Sequence, residues 1–285
     1  WRNIFYLTVL LLILKYKKEK NQMSNFRSSF LDSIPPVVKN LLAINIILWL
    51  STLVLPGMFL RWGIKLDLTD ILGMHYWASE KFNIAQLITY MFMHGGFNHM
   101  FFNMFALFMF GAALENVWGP RRFLFYYLVT GLGAGLIQQL FWTLDFQSLV
   151  NVMNDAIAAN SGQALLAHEA ELSKIFRFSN LQAFDAAAII DMKRMLVDLP
   201  VTVGASGAVF GILLAFGWLF PEARLMLIFF PVPIKARLFV LLYGVLELFL
   251  GVANFSGDNV AHFAHLGGML FGAILIFFWI GRAHV

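Results

Sequence analysis

Six stretches of about twenty residues carry almost no charge, and they constrain the fold more than any other feature of the sequence. Only 13% of the 285 residues are charged and 60% are hydrophobic, which leaves too few polar groups to cover a soluble protein. As a helix, each stretch can cross the roughly 30 Å hydrocarbon core of a bilayer. The stretches are 41–60, 91–114, 123–144, 199–220, 238–257 and 260–280. The sequence therefore predicts an all-α, polytopic membrane protein with a bundle of six transmembrane helices.

The positions of lysine and arginine predict how the bundle is oriented, because these residues accumulate in short cytoplasmic loops. They precede the first stretch, follow the last, and occupy the loops between stretches two and three and between stretches four and five. The loop and tail residues are Arg121, Arg122, Arg224, Lys235, Arg237 and Arg282. We predict that both termini are cytoplasmic and that the protein lies in a cell membrane, such as the bacterial inner membrane.

The segments outside the core are assigned from their length and composition. We predict a cytoplasmic N-terminal segment over 1–40, a six-span domain over 41–281 and a C-terminal tail over 282–285. The apolar run 4–14 is too short to span, and we expect translation to begin at Met23, with residues 1–22 an upstream read-through or an interfacial anchor. Residues 225–234 contain two prolines, which predicts the tail of a helix or an interfacial turn.

A long insertion, residues 145–198, separates the third and fourth stretches and is predicted to be helical and extracytoplasmic. It carries seven of the sixteen acidic residues. Its second half has apolar residues at helical spacing, which indicates an amphipathic helix resting on the membrane surface. A helical hairpin packed on its own loop explains the same pattern, and the sequence does not choose between the two.

Composition also excludes several classes of function. The chain has no cysteine, so it can form no disulfide, thiolate nucleophile or cysteine-ligated metal site. Its net charge of +4 includes no basic stripe interleaved with aromatic residues, so we predict no nucleic-acid partner. We predict no cofactor and no metal.

Polar side chains inside the predicted spans gather at one depth, near the extracytoplasmic ends of three stretches. Because polar groups are costly in a bilayer, such a layer marks a candidate functional site. The residues are His94, His99, Asn103, Ser206, His262 and His265.

A serine and a histidine in this layer are each associated with glycines that allow helices to pack closely. Ser206 lies in a Gly-Ala-Ser-Gly string that starts at Gly204, and His265 shares a helical stripe with Gly268 and Gly272. If the two glycine faces pack together, the Ser206 hydroxyl comes within hydrogen-bond reach of an imidazole that can accept its proton. The alternative for the Gly-Ala-Ser-Gly string alone, including Gly207, is plain helix packing.

His99 and Asn103 are four residues apart, so their side chains lie on one face of the second span. An imidazole, a side-chain amide and the backbone N–H of Ser206 could together stabilise the oxyanion of a tetrahedral intermediate. The alternative for His99 is a buried histidine bonded to a backbone carbonyl.

Four other polar residues are predicted to be structural. His94 is expected to bond the loop before the second span, and His262 to hold structure or water, although it could be a metal ligand. Glu115 is expected to bond loop amides and pair with an arginine. Glu247 is predicted to lie away from the Ser206 layer, in the middle or cytoplasmic half of the fifth span, and to form a helix–helix hydrogen bond.

The motifs, taken together and in order, resemble those of the rhomboid family of intramembrane serine proteases. They are His94-Gly-Gly-Phe-Asn-His99-Met-Phe-Phe-Asn103, Gly204-Ala-Ser206-Gly207 and Ala264-His265-Leu-Gly-Gly268. The resemblance implies that Ser206 is the nucleophile and His265 its base, in a dyad without a carboxylate. It also implies that His99, Asn103 and the Ser206 amide bind the oxyanion, and that the fifth span is a mobile wall through which a substrate helix enters.

The same resemblance implies that His94 is a structural histidine. It also implies that the partners are the transmembrane segments of single-span membrane proteins, within the lipid bilayer. The sequence departs from the family at Ala85 and Gln86, where a tryptophan–arginine pair is often found, and at Phe210, which replaces a tyrosine that often stacks under the catalytic imidazole. Neither departure removes a reacting group, so we expect an active protease.

Two alternatives stay open at this stage. One is an inactive rhomboid-like protein that binds membrane helices without cutting them. The other is a membrane protein in which histidines ligate haem or a metal: His94, His99, His262 and His265.

Overall fold

The fold is described from a computed structural model, which describes residues 32–227, 230–253 and 260–280. The predictions for residues 1–22 and for the tail 282–285 lie outside these ranges. The helices in chain order are α1 (Pro36–Leu60), α2 (Leu68–Leu72), α3 (Gln86–Thr89), α4 (Phe97–Trp118), α5 (Pro120–Ala158), α6 (Glu169–Ile175), α7 (Ala186–Asp198), α8 (Ser206–Leu219), α9 (Ala236–Ala253) and α10 (His262–Leu275).

Shorter helical turns complete some of these elements. A π-helical turn, Leu107–Gly111, lies inside α4, and another, Ile276–Ile280, extends α10. Tight 3-10 turns precede α4 and punctuate the insertion: Tyr90–Phe92, Gly162–His168 and Leu181–Ala183.

The predicted helical membrane fold is confirmed, with different helix ends. Among the described residues, four helices are long and apolar enough to cross a membrane, namely α1, α4, α5 and α9. The two others, α8 and α10, are apolar but only 14 residues long. The fourth apolar stretch was expected to be helical from residue 199, but its first seven residues form a strand and a turn, so that α8 begins at Ser206.

Two small antiparallel sheets interrupt the helical fold. Strand β1 (Met74–His75) pairs with β2 (Val201–Thr202), and strand β3 (Arg224–Leu227) pairs with β4 (Phe230–Lys235). Of the two alternatives predicted for 225–234, the helix tail is therefore wrong, because the described residues of this segment lie in two paired strands. Proline cannot donate to a central strand, but both strands of a two-stranded sheet are edges, so β4 accommodates two prolines.

Glu115, at the end of α4, fixes the start of α1. Its two carboxylate oxygens accept hydrogen bonds of 2.9 and 2.8 Å from the backbone N–H groups of Val37 and Val38. The prediction that Glu115 bonds amides is correct, but the amides belong to the first turn of α1. Within the described ranges no ion pair joins it to Arg121 or Arg122.

The insertion is a helical hairpin with a core of its own. Helix α5 continues for 39 residues without a break at residue 145, and α7 packs back against its distal half. The apolar side chains between them are buried: Leu149, Met153, Ala156, Leu165, Leu172, Leu181, Ile189, Met192 and Leu196. Of the two alternatives left open, the packed hairpin agrees with the structure.

The loop between α1 and α4 is organised around the buried side chain of Gln86. Its carbonyl accepts from the backbone N–H of His75, and its amide donates to the carbonyls of Ile71 and Lys81. Nearby, the Lys81 ammonium donates to the Asp70 carboxylate at 2.8 Å and holds the pKa of that carboxyl below its usual range. Gln86, noted above only as a departure from a family pattern, therefore has a structural role.

Helices α5, α8 and α10 form the centre of the bundle. The Tyr126 hydroxyl on α5 donates to the Gly211 carbonyl on α8 at 2.8 Å, and the Tyr90 hydroxyl donates to the Gly131 carbonyl on α5 at 2.7 Å. The first bond holds α8 against α5, and the second attaches the 3-10 turn Tyr90–Phe92 to α5.

Candidate active site

Three helices present their N-terminal ends to the candidate site. Helix α8 begins at Ser206, α10 begins at His262, and His99 lies in the first turn of α4. The first N–H groups of a helix have no partner within it, and the helix dipole places partial positive charge there. The site is therefore suited to stabilising negative charge.

Ser206 and His265 are in direct contact. The Ser206 hydroxyl oxygen lies 2.8 Å from Nε2 of His265, across the boundary between α8 and α10. His265 is buried, so the contact is largely shielded from bulk solvent. The contact predicted from the glycine spacing is therefore present.

Glycines bring these two helices together. A Cβ atom added to Gly268 would overlap the carbonyl oxygen of Gly207, so the two backbones touch at this level. One turn further along, a Cβ on Gly272 would lie 3.4 Å from the Cα of Gly211. The predicted close-packing face of α10 thus lies directly against α8.

The His265 ring rests on an aromatic side chain of α8. Phe210 stacks on it with a centroid distance of 4.2 Å and an interplanar angle of 11°. Tyr243 of α9 packs against the same phenyl ring, with centroids 4.8 Å apart. The stacking expected for Phe210 is present, and it restricts rotation of the imidazole.

Gly204 places His99 beside the serine. The backbone φ of Gly204 is +129°, a value that residues with a side chain rarely adopt. A Cβ atom added at this position would lie 2.7 Å from Nε2 of His99 and 3.6 Å from the Ser206 hydroxyl oxygen. The Gly204 N–H donates to the carbonyl of Tyr90 at 2.9 Å, which holds the turn in place. His99 thus borders the turn that carries Ser206, as its predicted role requires.

Asn103 and His94 lie on either side of His99 in the chain. The Asn103 amide donates to the His99 carbonyl at 2.8 Å, within α4. His94 is buried and its ring meets the His99 ring edge-on, with centroids 5.1 Å apart. Neither ring nitrogen of His94 has a hydrogen-bond partner among the described residues, so the expected bond to the preceding loop is not seen.

Glu247 forms the predicted helix–helix hydrogen bonds, between α9 and α10, but it lies in the site and not away from the Ser206 layer. Its Oε2 atom lies 2.8 Å from Nδ1 of His265 and 2.6 Å from Nδ1 of His262. The prediction failed because the depth of Glu247 was inferred from its position within its own apolar stretch. The contact is set instead by α10, whose first turn, beginning at His262, lies beside Glu247.

Among the described residues, three side chains lie close enough together to hold a metal ion. One ligand atom from each of Glu247, His262 and His265 lies within 4.8 Å of the others. His94 and His99 form a separate pair, so the four histidines considered for haem or metal ligation do not form one cluster in the structure. The hydrogen bonds to the Glu247 carboxylate account for the arrangement without a metal.

Comparison with known proteins finds a family model and several relatives, all described as rhomboid or rhomboid-like proteins. The family model described as Rhomboid domain matches residues 81–282. The rhomboid protein YdcA of Bacillus subtilis (strain 168) is 29% identical over 111 residues, covering 39% of this chain and 53% of the relative. RHOMBOID-like protein 12, mitochondrial, of Arabidopsis thaliana is 29% identical over 191 residues, covering 66% of this chain and 44% of the relative.

A yeast relative has a similar extent. Rhomboid protein 1, mitochondrial, of Saccharomyces cerevisiae is 29% identical over 199 residues, covering 67% of this chain and 40% of the relative. The chain thus matches about half of the length of these curated relatives, or less.

Proposed function

The chain belongs to the rhomboid family, and from this membership we propose that it is an intramembrane serine endopeptidase that cleaves single-span membrane proteins near the outer end of their helix. The observation that carries the proposal is the 2.8 Å contact between the Ser206 hydroxyl and Nε2 of His265. A serine hydroxyl is a weak nucleophile until a neighbouring base accepts its proton.

The proposed reaction has two steps. Ser206 Oγ attacks the scissile carbonyl while His265 takes the hydroxyl proton, and the resulting imidazolium then protonates the leaving amine as the C–N bond breaks. A water molecule, deprotonated by the same imidazole, then attacks the acyl-enzyme, and the imidazolium returns the proton to Ser206 Oγ as the ester C–O bond breaks. His99, Asn103 and the Ser206 N–H are the proposed donors to the oxyanion of both tetrahedral intermediates.

Substrate is proposed to enter laterally, past α9. This helix has little of its surface buried in the bundle, and its exposed apolar residues would face lipid: Leu241, Val245, Leu248, Phe249 and Val252. A helical peptide bond is sequestered in its hydrogen-bond ladder, so the substrate must unwind locally before it reacts. Segments with helix breakers and small side chains should therefore be preferred.

The location and orientation of the protein belong to this proposal. The apolar helices and the family place the chain in a membrane. We keep the predicted cytoplasmic termini and extracytoplasmic site. The bacterial inner membrane stays a prediction, because two of the three relatives described are named as mitochondrial.

The test is cleavage of a panel of tagged single-span substrates in liposomes by wild type, Ser206→Ala and His265→Ala. We expect cleavage by wild type, none by either folded variant, and fluorophosphonate labelling that requires Ser206. A wild-type protein that binds substrate helices but cleaves none would instead be the inactive, helix-binding type. A Soret band or stoichiometric metal in the purified protein would support the ligation alternative.

A further inference from the structure

We propose that Glu247 is a positioning residue for His265, so that the reacting group is a Ser206–His265–Glu247 triad. The inference rests on the proposed protease function. It goes beyond the pair of residues expected from the family resemblance, in which no carboxylate takes part.

His265 connects side chains from two other helices. The two ring nitrogens of His265 have different partners: Nε2 lies 2.8 Å from the hydroxyl oxygen of Ser206 on α8, and Nδ1 lies 2.8 Å from the carboxylate of Glu247 on α9. A base held by a third group in this way is the arrangement that activates serine nucleophiles on several unrelated folds.

The carboxylate selects the reactive tautomer of the imidazole. An ionised carboxylate can only accept hydrogen bonds, so the proton of neutral His265 must lie on Nδ1. Nε2 is then left with a lone pair, directed at the Ser206 hydroxyl. Without the carboxylate, the other tautomer would place a proton on Nε2, where it could not accept one from the serine.

The same carboxylate stabilises the charge that develops during the reaction. When His265 accepts the serine proton it becomes an imidazolium, and the Glu247 oxygen 2.8 Å away carries the compensating negative charge. Glu247 is only 3% exposed, so solvent screens this attraction little. Among the described residues, the other titratable groups around His265 and Glu247 are His262, His99 and Tyr243.

Burial of Glu247 is difficult to explain by helix packing alone. It is the only acidic residue of α9, a helix whose remaining surface is largely apolar and exposed. A buried carboxylate costs several kcal/mol in desolvation, which a well-packed leucine would avoid. His262 offsets part of that cost, because its Nδ1 lies 2.6 Å from the same carboxylate oxygen.

The test compares Glu247→Gln and Glu247→Asp with wild type and with a matched control. Glutamine keeps the shape but loses the charge, and its amide can donate as well as accept. Aspartate keeps the charge on a shorter arm. The control is Glu222→Gln, which removes an exposed carboxylate that pairs with Lys235 and Arg237 at the start of α9.

For Glu247→Gln we expect kcat to fall by about 10²- to 10⁴-fold, with KM and the unfolding temperature near wild type. The rate of fluorophosphonate labelling at Ser206 should fall in parallel. The kcat of Glu247→Asp should be at least about tenfold higher than that of Glu247→Gln, and the kcat of Glu222→Gln should match wild type.

Four results would overturn the inference. One is a Glu247→Gln enzyme with wild-type kcat. Another is an activity loss that merely follows a loss of folded protein, which would make Glu247 a structural tether. If the glutamine variant does not fold, the aspartate variant decides, and a folded Glu247→Asp protein with no more activity than Ser206→Ala counts against the triad. Wild-type protein that neither cleaves nor labels at Ser206 would overturn the protease proposal itself, and this inference with it.

Discussion

Gly204 shows how a single residue can determine whether the site forms. Its backbone conformation strains any L-residue, and the space where a side chain would begin is taken by the His99 ring. Gly63 also has a positive φ, of +75°, but lies in open space. Alanine substitution at each of the two glycines therefore distinguishes the effect of backbone strain alone from that of strain combined with a steric clash.

For Gly204→Ala we expect at least about a tenfold loss of kcat/KM, because the new methyl displaces His99 from the Ser206 turn. Gly63→Ala should destabilise the protein by about 1–3 kcal/mol through strain alone and leave turnover per folded molecule unchanged. Thermal unfolding in detergent and substrate cleavage measure the two effects. Equal activity in both variants would show that the position of His99 does not matter.

The proposed oxyanion donors give a second prediction at this scale. His99→Ala and Asn103→Ala should each lower kcat by about 10²- to 10³-fold without abolishing cleavage, because the remaining donors still stabilise the intermediate. KM should change little. Steady-state kinetics at several substrate densities in liposomes make the measurement, and an unchanged kcat in either variant would remove that residue from the proposed oxyanion hole.

Single residues also show what sequence reasoning can and cannot reach. The contact between Ser206 and His265 was predictable because glycine spacing reports close helix packing directly. Glu247 was recognised as polar within a span but placed at the wrong depth, since apolar composition does not define where a helix ends. The signal that could have located Glu247 is that the fifth span has a single carboxylate and the next span begins with two histidines, His262 and His265, on one helical face.

At the level of elements, the contact between α8 and α10 leaves no room for a side chain. A Cβ on Gly268 meets backbone, which cannot rotate away, whereas a Cβ on Gly244 of α9 would meet the flexible end of Met269, whose Cε lies 3.1 Å away. The outcome of adding one methyl group should therefore differ sharply between these two glycines.

We expect Gly268→Ala to destabilise the protein by about 1–3 kcal/mol and to reduce cleavage strongly, because separating the helices breaks the contact between Ser206 and His265. Gly244→Ala should stay within about 1 kcal/mol of wild type and remain active. Thermal unfolding and cleavage assays on both variants test this. A fully active, stable Gly268→Ala protein would contradict the described packing.

Helix ends were the least predictable elements. The run 199–220 is apolar throughout, yet its first residues pair with β1 because Val201 and Thr202 meet a strand distant in sequence. Similarly, the third span was expected to end at residue 144, before a separate helical insertion, but α5 continues to Ala158 because α7 buries the apolar face of its distal half. Both outcomes depend on tertiary contacts, which a local pattern does not contain.

At the scale of the whole molecule, the hairpin of the insertion can be shortened without disturbing the bundle. The Ala186 N–H donates to the side-chain carbonyl of Asn160 at 2.8 Å, so the chain is already close to itself at this point. We therefore expect a short glycine–serine linker to be able to replace residues 161–184, which removes Leu165, Leu172 and Leu181 from the hairpin core but no residue of the bundle.

We expect this variant to label with fluorophosphonate at the wild-type rate but to cleave a panel of substrates with altered relative rates. The reason is that the hairpin, if it caps the site or recruits substrate ectodomains, acts on access rather than on chemistry. Measured rates on several substrates with different ectodomains provide the test. Unchanged relative rates would show that the distal hairpin takes no part in selection.

The unbroken course of α5 has a practical consequence for imaging. At 39 residues the helix is about 58 Å long, well beyond the thickness of the hydrocarbon layer. Its distal part therefore extends past the other helices of the bundle as a rigid, continuous helix. An antibody fragment raised against the hairpin would keep a fixed orientation relative to the bundle. Such a fiducial would let particles of this small protein be aligned by electron microscopy while a trapped peptide occupies the interior.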